Sequence, residues 1–415
     1  MIIMRKSFIA LFVALSALVA CNKDNAVSIP VQKELNVSEV IPMEEALANL
    51  ETFLSSYSGA TKSGKTRSVD EVEVFTFGSS SVKTRSTNAD LPDTLAYLVN
   101  LGDDEGFAVL SANRKLNNSI YCLTEEGNVN HEDFAAAYEY LSGEPETRSV
   151  SEIKDMEDVF VPALLVRSLI IDYYDEASLV ETRASTPTGS PTGPILQTKW
   201  HQRWPFNDLL DNYPAGCVAI ACAQIMAHNE YPTNPTFNST SCSWGTMKTV
   251  CPVDSVSSDG TTAGQAQVAA FLKELGKAEN LKIRYGDDGS WGLADGVVRT
   301  LRNYGYKNVD KRIGFVKKDR TKVSECLAKG YPVFMNGGNS DDFTGHAWVV
   351  DGEWGNYFHC NWGWRGLWDG YYVKDNFFEL SNNSSDIIFD DTDPGTVGST
   401  ADKFNWCFRE VLYTK

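Results

Sequence analysis

Residues 217–227 read CVAIACAQIMA, an uncharged run directly after Pro214-Ala215-Gly216. The Pro and Gly approach followed by good helix formers predicts a helix that begins at Cys217. Because this helix would be apolar on nearly every face, it must lie in the interior of a domain. The rest of the chain has to surround it, and 415 residues, 42% of them hydrophobic, are enough to do so.

The two cysteines of this run occupy different positions on the predicted helix. Cys217 would lie in the first turn, where unpaired N–H groups and the helix dipole lower the pKa of a thiol. We expect Gly216 to leave open space beside its sulfur. Cys222 lies deeper in the helix and would be packed and protonated. This segment alone fits either a nucleophilic Cys217 or a small buried hydrophobe.

A base for such a nucleophile stands in GHAWVVDG, residues 345–352. His346 opens an apolar run typical of a strand, and NYFHCNWGW at 356–364 predicts its antiparallel neighbour. Asn361 would then lie near the level of His346 and orient the imidazole, as in a Cys-His-Asn triad. His346 and Asn361 follow Cys217 by about 130 and 145 residues, separations typical of papain-like enzymes.

Two further residues would complete this site. Trp362, next to Asn361, would cover the predicted His–Asn hydrogen bond and exclude water. Gln202, in TKWHQRWPFN at 198–207, is a candidate oxyanion donor together with the Cys217 backbone N–H, the alternative being a surface residue between aromatics. We expect His359, by strand alternation, to be a packed or cleft-wall histidine.

The chain divides at TRASTPTGSPTGP, residues 182–194, a stretch with no apolar face to bury. Before it, residues 42–58 have helical periodicity, 70–78 alternate as a strand, and 94–113 predict a hairpin with an Asp-Asp-Glu-Gly turn. Two amphipathic helices are expected between residues 131 and 180. All ten tryptophans lie at or beyond Trp200, so the two halves differ in composition.

The N-terminal residues are typical of an export signal. Arg5 and Lys6 precede an apolar stretch too short for a spanning helix. It ends in Leu18-Val19-Ala20-Cys21, which resembles a bacterial lipobox, so we predict lipidation of Cys21. The alternative is an ordinary signal peptide cut near Ala20. We expect an exported lipoprotein of the bacterial outer membrane or cell surface, with release after processing as a further option.

Charge and metal-ligand patterns exclude several functions. The formal net charge of −18 argues against a nucleic-acid partner. The five histidines and nine cysteines form no HExxH or Cys/His cluster, so neither a metal nor another cofactor is expected. Cys242 and Cys251 are close enough in sequence to close a small loop.

These motifs together resemble the streptopain family of papain-like cysteine proteases. The resemblance rests on WxQxxPFN at 200–207, GCVAxAxAQIM at 216–226, HNEYP at 228–232, GHAWVVDG at 345–352 and NWGWxGxxDGYY at 361–372. It implies an α+β fold and assigns the following roles: Cys217 as nucleophile, His346 as general base and acid, Asn361 as its orienting partner, Trp362 as cover and Gln202 as oxyanion donor. Protein or peptide substrates follow from it.

The resemblance also extends to an inhibitory propeptide domain, through GFAVLSAN at 106–113 and SIYCLTEEGNV at 119–129. It implies a signal peptide at 1–20, a tether at 21–39, an inhibitory propeptide domain at 40–183 and a papain-like peptidase domain at 184–415. The propeptide would be an intramolecular inhibitor, and the lipid anchor the sole membrane contact. Thr-Arg recurs in polar stretches, and the predicted activation cleavage follows Arg183, with Arg148 as the alternative.

Two rival functions remain open on sequence alone. The same fold and nucleophile could serve a transpeptidase or other acyl transferase. A surface lipoprotein that binds glycan or protein through its tryptophans is a further alternative, from a different class.

Overall fold

Strands from both predicted domains join in one sheet in the computed structural model. It describes residues 39–57, 67–76, 94–116, 118–142, 156–174, 187, 189–250, 262–287, 289–313, 320–338, 345–377, 406 and 408–415. The predicted signal peptide, tether, lipidation site Cys21, and cleavage sites Arg148 and Arg183 all lie outside these ranges, as does Cys251. The part from Glu39 onward forms one compact unit. We call residues 39–174 the N-terminal region and residues 189–415 the C-terminal region.

Helices and strands alternate irregularly along the described chain. The helices are α1 Met43–Ser56, α2 His131–Ser142, α3 Met156–Tyr174, α4 Cys217–Asn229, α5 Trp244–Lys248, α6 Ala263–Leu275, α7 Ala294–Asn303 and α8 Thr321–Ala328. The strands are β1 Val69–Phe75, β2 Ala96–Leu101, β3 Phe107–Ser111, β4 Ile120–Thr124, β5 Thr236–Phe237, β6 Thr240–Ser241, β7 Lys307–Ile313, β8 Val333–Gly338, β9 Gly345–Trp354, β10 Tyr357–Asn361, β11 Gly370–Val373 and β12 Arg409–Thr414. Among these residues, no helix has both the length and the apolar character needed to cross a membrane.

Ten of these strands form one antiparallel sheet in the order β1-β2-β3-β4-β11-β10-β9-β8-β12-β7. The first four are a meander from the N-terminal region. The seam between the two regions is the β4–β11 pair, in which Leu123 lies opposite Tyr371. Each residue of β2, β3 and β4 is buried, so the sheet is covered on both faces here. The predicted boundary near residue 183 therefore joins two regions that share backbone hydrogen bonds.

Several local predictions are confirmed. The helix predicted within 42–58 is α1, the strand predicted within 70–78 is β1, and the hairpin of β2 and β3 is present. The hairpin closes through a hydrogen bond from the Leu101 N–H to the Gly106 carbonyl. Gly106 has a φ of +96°, and a Cβ there would lie 2.3 Å from the Thr124 carbonyl oxygen, so the turn requires glycine.

The helix α3 differs from its prediction. An amphipathic helix was expected, but all residues from Phe160 to Ile170 are buried. They include Arg167, whose guanidinium carbon lies 5.8 Å from the Trp406 ring centroid and 5.5 Å from that of Phe408. This helix packs on α2 on one side and faces β9 of the C-terminal region on the other. An element sandwiched in this way has no solvent side, which explains its nearly continuous apolar sequence.

The sheet separates two hydrophobic cores in the C-terminal region. Ala347 and Val349 on β9 belong to the core built around α4, α6 and α7. Trp348 and Val350 belong to the core that α3 shares. The period of two along a strand produces this division. The direction of each side chain on β9 therefore decides whether it faces α4 or α3.

Candidate active site

Cys217 is the first residue of α4, as predicted, and the helix is buried over most of its length. Gly216 caps it with a φ of +90°, and a Cβ there would lie 2.9 Å from the Ser290 carbonyl oxygen. Glycine is therefore required both by conformation and by the close approach of Ser290. The expected open space beside the Cys217 sulfur stays a prediction.

The two thiols of α4 have different surroundings. Cys222 is fully buried, and burial raises the pKa of its thiol to about 12, which confirms that it is packed and protonated. Cys217 is partly buried. Burial raises the pKa of its thiol too, although hydrogen bonds from the N–H groups of Ala347 and Val218 oppose the rise. The expected lowering of this pKa is wrong for this form of the chain, because removal from water outweighs the helix-terminal N–H groups.

His346 is the second residue of β9, and its Nε2 lies 2.7 Å from the Trp362 carbonyl oxygen. A carbonyl can only accept, so the proton belongs on Nε2 and the Nδ1 lone pair is left to accept a proton. Burial lowers the pKa of His346 to about 4, and the hydrogen bond to Trp362 only partly opposes this. The imidazole is therefore neutral near pH 7 and has the tautomer of a general base.

Four aromatic rings surround the His346 imidazole. The centroid distances are 4.3 Å to Trp364, 5.3 Å to Phe160, 6.2 Å to Trp362 and 6.5 Å to Trp348. Phe160 belongs to α3, so the N-terminal region forms one wall of this cage. His346 shares its strand face with Trp348, whereas Ala347 faces α4. Within the described residues, no hydrogen bond joins His346 to Cys217.

Asn361 departs from its predicted position. On the β9–β10 pair it lies opposite Val349, and a bulge at His359 and Cys360 shifts the register. Its Oδ1 accepts hydrogen bonds from Gln224 Nε2 at 2.9 Å and from the Gly363 N–H at 3.1 Å. The predicted alignment with His346 is therefore wrong in this form, because the register set by the turn between Trp354 and Tyr357 leaves Asn361 three residues along β9 from His346, even though the bulge shortens this offset by one residue. Its role as orienting partner stays a prediction.

Trp362 contacts His346 mainly through its backbone. Its carbonyl accepts from His346, and its N–H donates to Asp369 Oδ1 at 2.8 Å. The ring lines the imidazole cage and covers no His–Asn hydrogen bond in this form. Asp369 is fully buried, and burial raises the pKa of its carboxyl to about 7 even though the Trp362 N–H lowers it. Sequence reasoning missed Asp369, which lies in the quoted NWGWxGxxDGYY motif.

Gln202 lies beside the loop that leads to the nucleophile. Its carbonyl accepts a hydrogen bond from the Ala215 N–H at 2.7 Å, two residues before Cys217. This contact places the oxyanion candidate and the start of α4 together. The role of its side-chain amide stays a prediction.

His359 is neither a cleft wall nor a simple packing residue. Its Nδ1 lies 2.6 Å from Asp351 Oδ1, and its Nε2 lies 3.4 Å from Glu125 Oε1. Burial disfavours the imidazolium, but the two carboxylates outweigh it and raise the pKa of His359 to about 10. Glu125 follows β4 and also accepts a hydrogen bond from Tyr57 at 3.0 Å. This buried cation therefore joins the N-terminal region to the C-terminal region.

The described residues include no group of three or more His, Cys, Asp or Glu side chains positioned to hold a metal ion. The chemistry of the site as it stands rests on a thiol, an imidazole and hydrogen-bond donors. A thiol nucleophile, a base with the correct tautomer and nearby N–H donors can carry out acyl transfer.

Comparisons with known proteins agree with this arrangement. Residues 200–372 match the model of the peptidase C10 family. Streptopain of Streptococcus pyogenes is 28% identical over 186 residues, which cover 39% of this chain and 45% of that protein. The thiol protease/hemagglutinin PrtT of Porphyromonas gingivalis is 25% identical over 315 residues, which cover 68% of this chain and 34% of that protein. The chain thus spans less than half the length of these relatives.

A solved structure extends the likeness to the fold. A fragment of prointerpain A from Prevotella intermedia superposes with a TM-score of 0.51 at 20% sequence identity and covers 79% of this chain and 98% of that fragment. The predicted fold class is confirmed: the chain is α+β, with a papain-like protease domain preceded by a smaller α+β domain. The family match over residues 200–372 includes the positions of Gln202, Cys217, His346, Asn361 and Trp362.

Proposed function

We propose that this chain is an endopeptidase made as a zymogen. Its residues 200–372 match the peptidase C10 family, and by that resemblance it is a streptopain-like cysteine protease. The observation that carries the proposal is the pairing of Cys217, at the start of a buried helix, with the adjacent His346–Ala347 segment. Ala347 belongs to the core against which Cys217 packs, α4 contacts β9, and His346 has the tautomer of a base. Proteins and peptides are the proposed substrates.

The reaction is thiol acyl transfer to water. His346 Nδ1 takes the proton of the Cys217 thiol, and the sulfur attacks the peptide carbonyl carbon. The negative charge that develops on the carbonyl oxygen is stabilised by the Cys217 N–H and by Gln202. His346 then protonates the leaving amine as the C–N bond breaks. Water attacks the thioester, which releases the acid and restores the thiol.

The N-terminal region is the proposed intramolecular inhibitor. Phe160 of α3 packs on the imidazole of His346, and the imidazole lies on the sheet face away from α4. The thiol pKa is raised and the imidazole pKa is lowered, so both groups are neutral near pH 7. A neutral pair is a poor nucleophile, so removal of α3 is the step that allows activation. The prodomain-bearing fold of prointerpain A supports this arrangement.

The activation cleavage is proposed at Arg183, with Arg148 as the alternative. Both lie in polar stretches outside the described residues. Arg183→Gln and Arg148→Gln variants of the full chain, followed by N-terminal sequencing of the matured product, distinguish the two. We expect that Arg183→Gln fails to produce the mature N-terminus and that Arg148→Gln produces it normally. Normal maturation of Arg183→Gln would move the site to Arg148.

Export and lipid anchoring through Cys21 are proposed from the sequence pattern. The expected location is the bacterial outer membrane or cell surface. Labelling of the expressed chain with a fatty acid, compared with a Cys21→Ser variant, tests the modification. Equal labelling of both proteins would contradict it, and cleavage near Ala20 without label would favour the ordinary signal peptide.

The central test compares two cysteines on one helix. Cys217→Ala should abolish both self-processing and casein hydrolysis, because no nucleophile remains. Cys222→Ala is the matched control, because it removes a packed thiol from the same helix and should keep activity once folded. A Cys217→Ala protein that still matures and cleaves casein would overturn the proposal.

A further inference from the structure

Gln224 is an uncharged polar side chain on an otherwise apolar stretch of α4, and it is completely buried. It lies about two turns from Cys217 on the same helix. A buried amide is costly unless its hydrogen-bonding groups are satisfied. Here it accepts from the Trp200 N–H at 3.4 Å and donates to Asn361 Oδ1 at 2.9 Å.

The orientation of both amides follows from the backbone groups at the ends of this network. The N–H groups of Trp200 and Gly363 can only donate, so they require the side-chain oxygens of Gln224 and Asn361, respectively. The Thr198 carbonyl can only accept, and it takes a hydrogen bond from Asn361 Nδ2 at 3.1 Å. One arrangement satisfies all of these groups, with Gln224 Nε2 donating to Asn361.

The network reaches His346 through one peptide group. The N–H of the Trp362–Gly363 peptide donates to Asn361 Oδ1, and the carbonyl of the same peptide accepts from His346 Nε2. Gln224 therefore connects three segments: the 198–200 stretch just before Gln202, the helix that carries Cys217, and the turn that holds His346. Hydrogen bonds in a buried chain polarise and orient one another.

We propose that Gln224 is a positioning residue of this active site, whose amide holds Asn361 and the Trp362–Gly363 peptide in the orientation that directs His346 relative to Cys217. The proposal rests on the proposed peptidase function. It explains why the nucleophile helix carries a buried amide where an apolar side chain would pack more cheaply. It also gives Asn361 an effect on His346 that needs no direct contact between them.

The first test uses Gln224→Met, which keeps the volume of the side chain and removes both hydrogen bonds. Its matched control is Gln265→Met, which removes another buried glutamine, one that serves the capping box of α6. After normalisation to active sites titrated with an epoxysuccinate, Gln224→Met should lose about 10- to 100-fold in kcat with KM within about twofold. Gln265→Met should keep its kcat whatever it loses in thermal stability.

The pH profile provides a readout that packing alone would not move. A poorly held acceptor for His346 stabilises the imidazolium less, so the bell-shaped kcat/KM profile of Gln224→Met should narrow on both limbs. In Gln224→Glu the introduced carboxyl can still accept from Trp200, but it can donate to Asn361 only when protonated. Its activity relative to the wild type should therefore rise as the pH falls.

Two outcomes would overturn the proposal. One is a kcat and pH profile of Gln224→Met that match those of Gln265→Met. The other, which applies if Gln224→Met does not fold, is a Gln224→Glu protein whose activity relative to the wild type does not depend on pH. A wild-type chain that neither hydrolyses casein nor reacts with the epoxysuccinate would instead contradict the proposed function.

Discussion

His346 and His359 lie on neighbouring strands and are both buried, yet they differ in charge. His346 is surrounded by aromatic rings and one carbonyl, and its pKa is about 4. His359 lies between Asp351 and Glu125, and its pKa is about 10. Burial acts in the same direction on both, so the neighbouring groups decide the outcome. A neutral imidazole can accept a proton, whereas a permanently charged one can only hold a structure together.

The N-terminal region contacts both histidines with opposite chemistry. It packs the Phe160 ring on His346 and places the Glu125 carboxylate against His359. The first contact covers the proposed catalytic base, and the second joins the two regions near the β4–β11 pair. The proposed latency and the attachment of the two regions therefore depend on separate contacts that can be changed one at a time.

The largest expected effects come from replacing His346 and His359, one at a time, with side chains that do not titrate. His346→Ala should lower kcat/KM by about 10²–10⁴-fold, because it removes the general base. His359→Gln should leave Asp351 as a buried, uncompensated charge and cost about 3–5 kcal/mol of stability. Casein hydrolysis after removal of the N-terminal region by limited trypsin treatment and thermal unfolding of the full chain measure the two effects.

The assigned difference between His346 and His359 would be wrong if the loss of activity followed the change at His359 instead of the change at His346. A His359→Gln enzyme that folds normally but has lost its activity would make His359 part of the chemistry. A His346→Ala enzyme with near-normal turnover would remove His346 from it.

The next largest effect is expected from Phe160→Ala. Removal of the ring should free the imidazole in the intact chain and speed labelling of Cys217 by an epoxysuccinate on the order of tenfold, a shift of about 1.4 kcal/mol. The control is Phe134→Ala on α2, a fully buried phenylalanine that packs on Phe75. Both variants should lose about 3–5 kcal/mol of stability.

Labelling of the intact protein by mass spectrometry distinguishes the two variants. Equal acceleration in both would mean that general loosening of the N-terminal region, and not the contact with His346, exposes the site.

Elements whose sequence has a clear physical pattern were predicted correctly. The uncharged run after Cys217 could only be a buried helix, and the turn residues before Gly106 marked the hairpin. The helix α3 was predicted to be amphipathic, whereas its residues from Phe160 to Ile170, Arg167 included, are buried. Burial of an arginine against aromatic rings depends on partners from distant parts of the chain, which periodicity does not reveal.

The fine geometry of the site depended on features with no sequence signature. The bulge in β9 at Asp351 changes by one residue the register at which Asn361 pairs, and local residue types do not mark it. Glu125 and His359 meet because β4 pairs with β11 across the linker, and strand pairing between domains is not encoded locally. Gln224 did have a signal, since a lone amide in an apolar helix must find partners.

A smaller effect is expected from Glu125→Gln. The change removes one of the two carboxylates at His359 and leaves the Tyr57 hydroxyl a neutral amide oxygen as acceptor, and should cost about 1–3 kcal/mol. Glu126→Gln is the matched control, because Glu126 pairs with Lys199 at 3.7 Å in a more exposed position and should cost less than about 1 kcal/mol. Thermal unfolding of the full chain in a Cys217→Ala background avoids self-cleavage. Equal shifts for the two variants would show that the His359 cluster does not fasten the seam.

The smallest effect, at most about 1.4 kcal/mol per pH unit, is the opposite pH dependence of the two histidines. The pKa of His359 is raised above its ordinary value of 6.5, so its contribution to stability is complete below pH 6.5 and is lost as the pH rises to about 10. The pKa of His346 is lowered, so its penalty appears as the pH falls from 6.5 to about 4. Both variants are compared with the Cys217→Ala parent. The stability difference between the parent and His359→Gln should shrink as the pH rises. The stability of His346→Gln relative to the parent should increase as the pH falls. Denaturant unfolding across this range measures both differences, and slopes of the same sign would show that the two sites do not differ in charge.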